Sequence, residues 1–139
     1  MDQRPEAESS RRVPIVGVKE IDDDHREILF FLAQIKTNKE NTPKILDVLS
    51  TFVQKHFAAE ERLLRDACCP KPMVDSHSRD HARIQDLFVD GLVCQAPTCE
   101  QLDAFRVAIL DHIGSFDMVM AEWCRMVQFV PKESPQTES

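Results

Sequence analysis

A histidine stands four residues ahead of a glutamate in "QKHFAAEERLL", and two histidines share that spacing in "HSRDH". On an α-helix such pairs lie about 40° apart around the axis, so His56 with Glu60, and His77 with His81, reach toward a common centre. His25 in "DDDH" and His112 in "HIGSFD" complete a set of five histidines. Imidazole nitrogens together with carboxylate oxygens are the donors from which proteins build first-row metal sites. A single histidine on an apolar face is more often a satisfied core residue than a ligand, so the question is whether these side chains meet.

The elements that position them can be read from the spacing. The chain has 139 residues, 42% hydrophobic and 29% charged, which suits one domain with a single core. Three glycines, no tyrosine and few alternating β-branched runs leave little material for strands, so the expected class is all-α. The first helix is expected from near Asp22 to about Lys39, with a stripe of Ile21, His25, Ile28, Leu32 and Ile35. The second opens at "NTPK", with Thr42 as N-cap and Pro43 at the first helical position, and runs to about Ala67. Its stripe is Leu46, Leu49, Val53, His56, Glu60 and Leu63. The third follows Pro72 to about Cys94 and carries Val74, His77, His81, Ile84 and Phe88 on one side. The fourth starts after Pro97, with Thr98 and Gln101 as a capping box, and lasts to about Val127. Its stripe is Leu102, Phe105, Ile109, His112, Phe116, Val119, Trp123 and Met126. Steps of three and four residues with short connections predict an up-down-up-down antiparallel four-helix bundle over residues 17–127. The polar ends, 1–16 and 128–139, read as a flexible arm and a disordered tail.

In this arrangement all five histidines and Glu60 fall inside core stripes, and their heights coincide. His25 lies 16 residues before a turn near Asn41 and His56 lies 15 after it. His81 and His112 stand 15 and 16 residues either side of a turn near Ala96. Glu60 and His81 stand 10 and 11 residues either side of Pro70, which ties both pairs into one layer. Independent core histidines have no reason to share a depth, whereas a metal site requires it. Asp117, five residues beyond His112, is about 140° round a regular helix. It joins the candidate set because it flanks the stripe at the right level and because a second carboxylate is wanted on charge grounds. Five imidazoles and two carboxylates exceed the four donors of a structural zinc site and suit two metals sharing carboxylates.

The remaining composition narrows the class. A net charge of −7 with no basic cluster would repel nucleic acid and anionic membrane surfaces. No apolar run approaches a membrane span and the N-terminus lacks a secretory pattern, so the expected location is cytoplasmic. The five cysteines, with no CxxC among them, read as reduced thiols.

The ordered set H, HxxxE, HxxxH, HxxxxD, carried by "GVKEIDDDH", "HFAAEE", "HSRDH" and "HIGSFD", resembles the hemerythrins, specifically the bacterial single-domain type. The resemblance spans about Gly17 to Trp123 and implies a four-helix bundle holding two iron ions joined by an oxo or hydroxo bridge. It implies that His77, His81 and His112 ligate one iron, that His25 and His56 ligate the other, and that Glu60 and Asp117 bridge them. Dioxygen would bind at the open position of the second iron. Reversible oxygen binding for storage, delivery or sensing, without catalytic turnover, is the expected function. The alternatives are a di-iron enzyme acting on peroxide or nitric oxide, an iron donor in cluster repair, and a structural bundle holding zinc or no metal. Ala108 and Met120 stand where the family commonly has Trp and Tyr, which leaves the size of the oxygen pocket open. Leu29, Phe52, Ile109 and Phe116 are the expected pocket lining, since a dry ligand site needs apolar walls.

Overall fold

The computed structural model describes residues 12–37, 39–89 and 97–129. Helix α1 spans Lys19–Thr37, and a 3-10 turn at Lys39–Asn41 leads into α2, Thr42–Asp66. Helix α3 spans Lys71–Leu87, and α4 spans Cys99–His112. A π turn, Ile113–Asp117, then joins α4 to α5, Met118–Met126, so that Cys99 to Met126 form one continuous rod. Each rod packs on its neighbours in sequence, and the first packs on the fourth, which closes a four-helix bundle.

Side-chain pairs fix the directions. His25 meets His56 while Phe31 meets Phe52, so α1 and α2 run antiparallel. Phe88 meets Phe105 while Asp80 meets His112, so α3 and α4 do the same. Lys36 pairs with Asp103 at one end of the bundle and His25 with Asp117 near the other, which makes the first and fourth rods antiparallel as well. None of the described helices is long and apolar enough to cross a membrane.

The expected stripes of α1 and α2 are buried throughout. Several local expectations are corrected. Helix α1 begins three residues before Asp22, whose carboxylate turns back to accept the N–H groups of Val16 and Gly17. This anchors the preceding segment: Val16 is 2% exposed within the core, and Gly17 takes a φ of +98°, which a side chain would strain. The packed unit therefore reaches into the segment expected to be a flexible arm. At the other end Phe129 folds back, donating its N–H to Cys124 and packing on a small apolar cluster. Asn41, not Thr42, stands at the N-cap position of α2, with no side-chain capping bond, and Pro72 lies within the first turn of α3 rather than before it. The Thr98–Gln101 capping box forms as expected, each side chain accepting the other's backbone N–H. The expected continuation of the third helix to Cys94, and the tail beyond Phe129, lie outside the described residues.

The largest correction concerns the fourth rod. A regular helix would keep Phe116, Val119, Trp123 and Met126 inward, yet Val119 is 51% and Met126 68% exposed. Asp117, Met120, Ala121 and Cys124 are buried in their place. The π turn takes up one extra residue, so the inward positions after His112 fall at Asp117, Met120 and Cys124, one residue later than α-periodicity predicts.

A candidate two-metal centre

Within the bundle lies a polar layer in which His25, His56, Glu60, His77, His81, His112 and Asp117 are all buried. Regular α-geometry places His56 with Glu60 and His77 with His81 on one inward face each. On the fourth rod the hydrogen bonds of the π turn run between residues five apart, so Asp117 falls over His112 as a residue four apart would in an α-helix.

The two carboxylates each divide their oxygens between two groups of histidines. Glu60 Oε1 lies 3.2, 2.9 and 3.5 Å from Nε2 of His77, His81 and His112. Its Oε2 lies 3.4 and 2.7 Å from Nε2 of His25 and His56. Asp117 Oδ1 is 3.0 Å from Nε2 of both His77 and His112, while Oδ2 is 2.9 Å from that of His25. Two donor sets result: three histidines with both carboxylates, and two histidines with the same carboxylates.

The donor atoms fit metal ions better than they fit one another. Nε2 of His56 and of His112 and both Asp117 oxygens are buried and make no well-directed hydrogen bond, despite the short separations. That is how donors stand when they are aimed at a shared centre. Leaving so many buried polar atoms unsatisfied would cost several kcal/mol without a ligand.

Three further acidic residues, none of them expected at the site, complete the layer. Asp24 Oδ2 accepts from His56 Nδ1 at 2.9 Å, Glu61 Oε2 from His81 Nδ1 at 2.8 Å, and Asp80 Oδ2 from His112 Nδ1 at 2.7 Å. Glu61 is half-buried and holds a histidine of the next helix. Such contacts fix the tautomer, leaving Nε2 free to ligate. Each acid adjoins a layer residue in sequence, which was the available signal. Its partner, however, lies on the following helix, which spacing along one helix does not reveal.

Phe57 was missed as well. Its ring lies flat on His81, with centroids 3.9 Å apart, and tilts against His56 and His112 at 5.9 Å each. Of the expected pocket residues, Ile109 is in the core, and Leu29 and Phe52 pack against it. Phe116 stacks on His112 at 5.4 Å and meets His77 edge-on, which places it against the three-histidine group rather than beside His25 and His56. Four thiols, Cys68, Cys69, Cys99 and Cys124, are free among the described residues, and Cys94 lies outside them.

The electrostatics of the metal-free layer follow from burial and charge. Burial opposes charging His56, but the Glu60 carboxylate and the Asp24 contact outweigh it and push its pKa up to about 10. His112 is likewise driven by Asp117 and Glu60 against burial to about 10. Burial opposes charge on Glu60 too, yet the surrounding imidazoles, His56 foremost, hold it well below the ordinary carboxylate range. Protons therefore occupy the metal-free layer at pH 7, and ligation, which needs neutral imidazole, must expel them. Metal uptake at pH 7 is expected to release protons from His56 and His112, measurable with an indicator dye in weak buffer, and the release disappears above about pH 10. The sign for stability is opposite. A histidine pKa raised on folding stabilises the metal-free chain fully below its unfolded value of 6.5, and that contribution is lost as the pH climbs through about 10.

The hemerythrin HHE cation binding domain matches residues 16–124, most of the chain. No curated protein and no solved structure matches it. With a four-helix bundle and a buried histidine and carboxylate layer able to hold metal, the chain belongs to the hemerythrin family.

Proposed function

We propose that the protein is a non-haem di-iron protein that binds dioxygen reversibly, for storage, delivery or sensing. In this reading His77, His81 and His112 hold one iron, His25 and His56 hold the other, and Glu60 and Asp117 are shared. The observation that carries it is the division of both carboxylates, one oxygen toward three imidazoles and the other toward two. The second group supplies one protein donor fewer, which leaves room for an external ligand there.

When bound, the iron pair supplies the electrons that make dioxygen binding possible. The chain's own contribution is to place and insulate that pair. Leu29 lies one turn after His25 and Phe52 one turn before His56, both partly buried and packed on the apolar core, so that flank of the two-histidine group is apolar. An apolar wall favours a small apolar gas over water. Five imidazoles to two shared carboxylates, with no ExxH motif anywhere in the chain, sets this layer apart from the four-glutamate sites of ferritin-like proteins.

The test is optical. Iron-loaded, reduced protein should change its visible spectrum on admission of air and return to the starting spectrum on degassing, over repeated cycles. Rapid oxidation that degassing does not reverse would count against oxygen carriage. Steady consumption of peroxide or nitric oxide with a reductant would favour the enzymatic alternative.

A further inference from the structure

The three supporting acids follow a rule of succession. Asp24 on α1 serves His56 on α2, Glu61 on α2 serves His81 on α3, and Asp80 on α3 serves His112 on α4. Each helix lends an acid to the next, and the succession stops before it returns to α1. Nδ1 of His25 is buried with no hydrogen-bond partner.

The two donor sets are therefore unequal in more than number. The three-histidine set has two of its imidazoles held by acids, one of which, Asp80, is itself held by Arg83 at 2.9 Å. Phe57 stacks on His81 and Phe116 on His112, so both rings are clamped. In the two-histidine set only His56 has an acid, and His25 leaves a polar nitrogen unsatisfied in the core. A buried, unpartnered N–H costs free energy whenever Nε2 is the ligating atom, and an unsupported imidazole is a weaker donor.

We infer that the two metal positions load and release in a fixed order: the His77, His81 and His112 position fills first and holds tightly, and the His25 and His56 position fills second and empties first. The inference rests on the reading of the layer as a pair of metal positions, and it assigns Glu61, Asp80 and Asp24 as the positioning residues that set the order. A one-metal form of the protein is its direct consequence.

The experiment is a titration of the metal-free full chain with Co(II), which stays divalent in air-free buffer. Ligand-field absorption gives the stoichiometry, and paramagnetically shifted imidazole N–H resonances tell which histidines are bound. The first equivalent should shift resonances of the three-histidine group, with the second binding at least about 10-fold more weakly. Glu61→Gln and Asp80→Asn should each weaken the first step by about 10- to 100-fold and narrow the gap, while Asp24→Asn should weaken the second step and widen it. The side chains of Glu61 and Asp24 are 31% and 34% exposed, so their amide variants test orientation without opening the core. Two equivalents binding with equal affinity, or Glu61→Gln leaving the first step unchanged, overturns the order while leaving the two-metal reading intact. Failure to retain any Co(II) would bring down the metal centre itself.

Discussion

Replacing Glu60 by glutamine is expected to cut the metal content from two ions to at most one per chain, read by elemental analysis after loading and desalting. Glu60 is wholly buried, with one oxygen facing three imidazoles and the other facing two. An amide has one acceptor and one donor end, so either orientation turns N–H groups toward one of the two sets. Retention of two tightly held ions would sink the idea that this carboxylate is shared. The same substitution separates the electrostatic argument from the coordination argument. In the metal-free protein the Glu60 charge is the leading influence that lifts His56 against burial, so its loss lowers the pKa of that imidazole, which Asp24 and Asp117 still hold up. Removing one partner from a buried charge cluster costs about 3–5 kcal/mol, which urea unfolding of metal-stripped protein near pH 7 would detect. The loss of stability between pH 6.5 and about 10, expected for the native metal-free chain, should shrink in the variant because His56 and His112 are raised less on folding.

How much of this was legible beforehand depended on how local the information was. On α1, α2 and α3 the polar core residues follow regular α-periodicity, so counting turns located His25, His56, Glu60, His77 and His81 at one depth, where they are found together. Apolar burial set the faces, and the capping box set the start of α4. Legibility failed where the deciding interaction was tertiary. Asp24, Glu61 and Asp80 look like ordinary surface acids because the histidine each one holds belongs to another helix. Val16 looked like part of a polar arm because its anchor is a side chain six residues on, the carboxylate of Asp22. Phe57 looked like any apolar residue beside a histidine, since its stacking partner His81 is on α3.

The fourth rod failed for a different reason, and that reason yields the second large prediction. A π turn is an α-helix with one residue too many, and here the surplus lies within Ile113–Asp117. Removing Gly114 should therefore let the rod close into an unbroken α-helix. His112 and Asp117 would then be four apart, like His56 and Glu60, and Met120 and Cys124 would keep their inward positions. Gly114 is exposed, and a Cβ there would meet nothing, so no packing is lost with it. The deletion is expected to keep both metals and to match or exceed the parent in thermal stability, since it also removes a poor helix former. Inserting one alanine after Gly114 should do the reverse. A further residue turns everything beyond it by about 100°, carrying Asp117 out of the layer and turning Met120, wholly buried in the parent, toward solvent. Exposing that side chain and its neighbours Ala121 and Cys124 should cost at least the about 2–5 kcal/mol of a large core truncation, and both metal sets lose a carboxylate oxygen. If instead the insertion is tolerated with two metals bound, or the deletion loses them, the turn is not the register device that delivers Asp117. A deletion in the middle of a metal layer that is harmless, set beside an insertion at the same point that is not, would be hard to explain any other way.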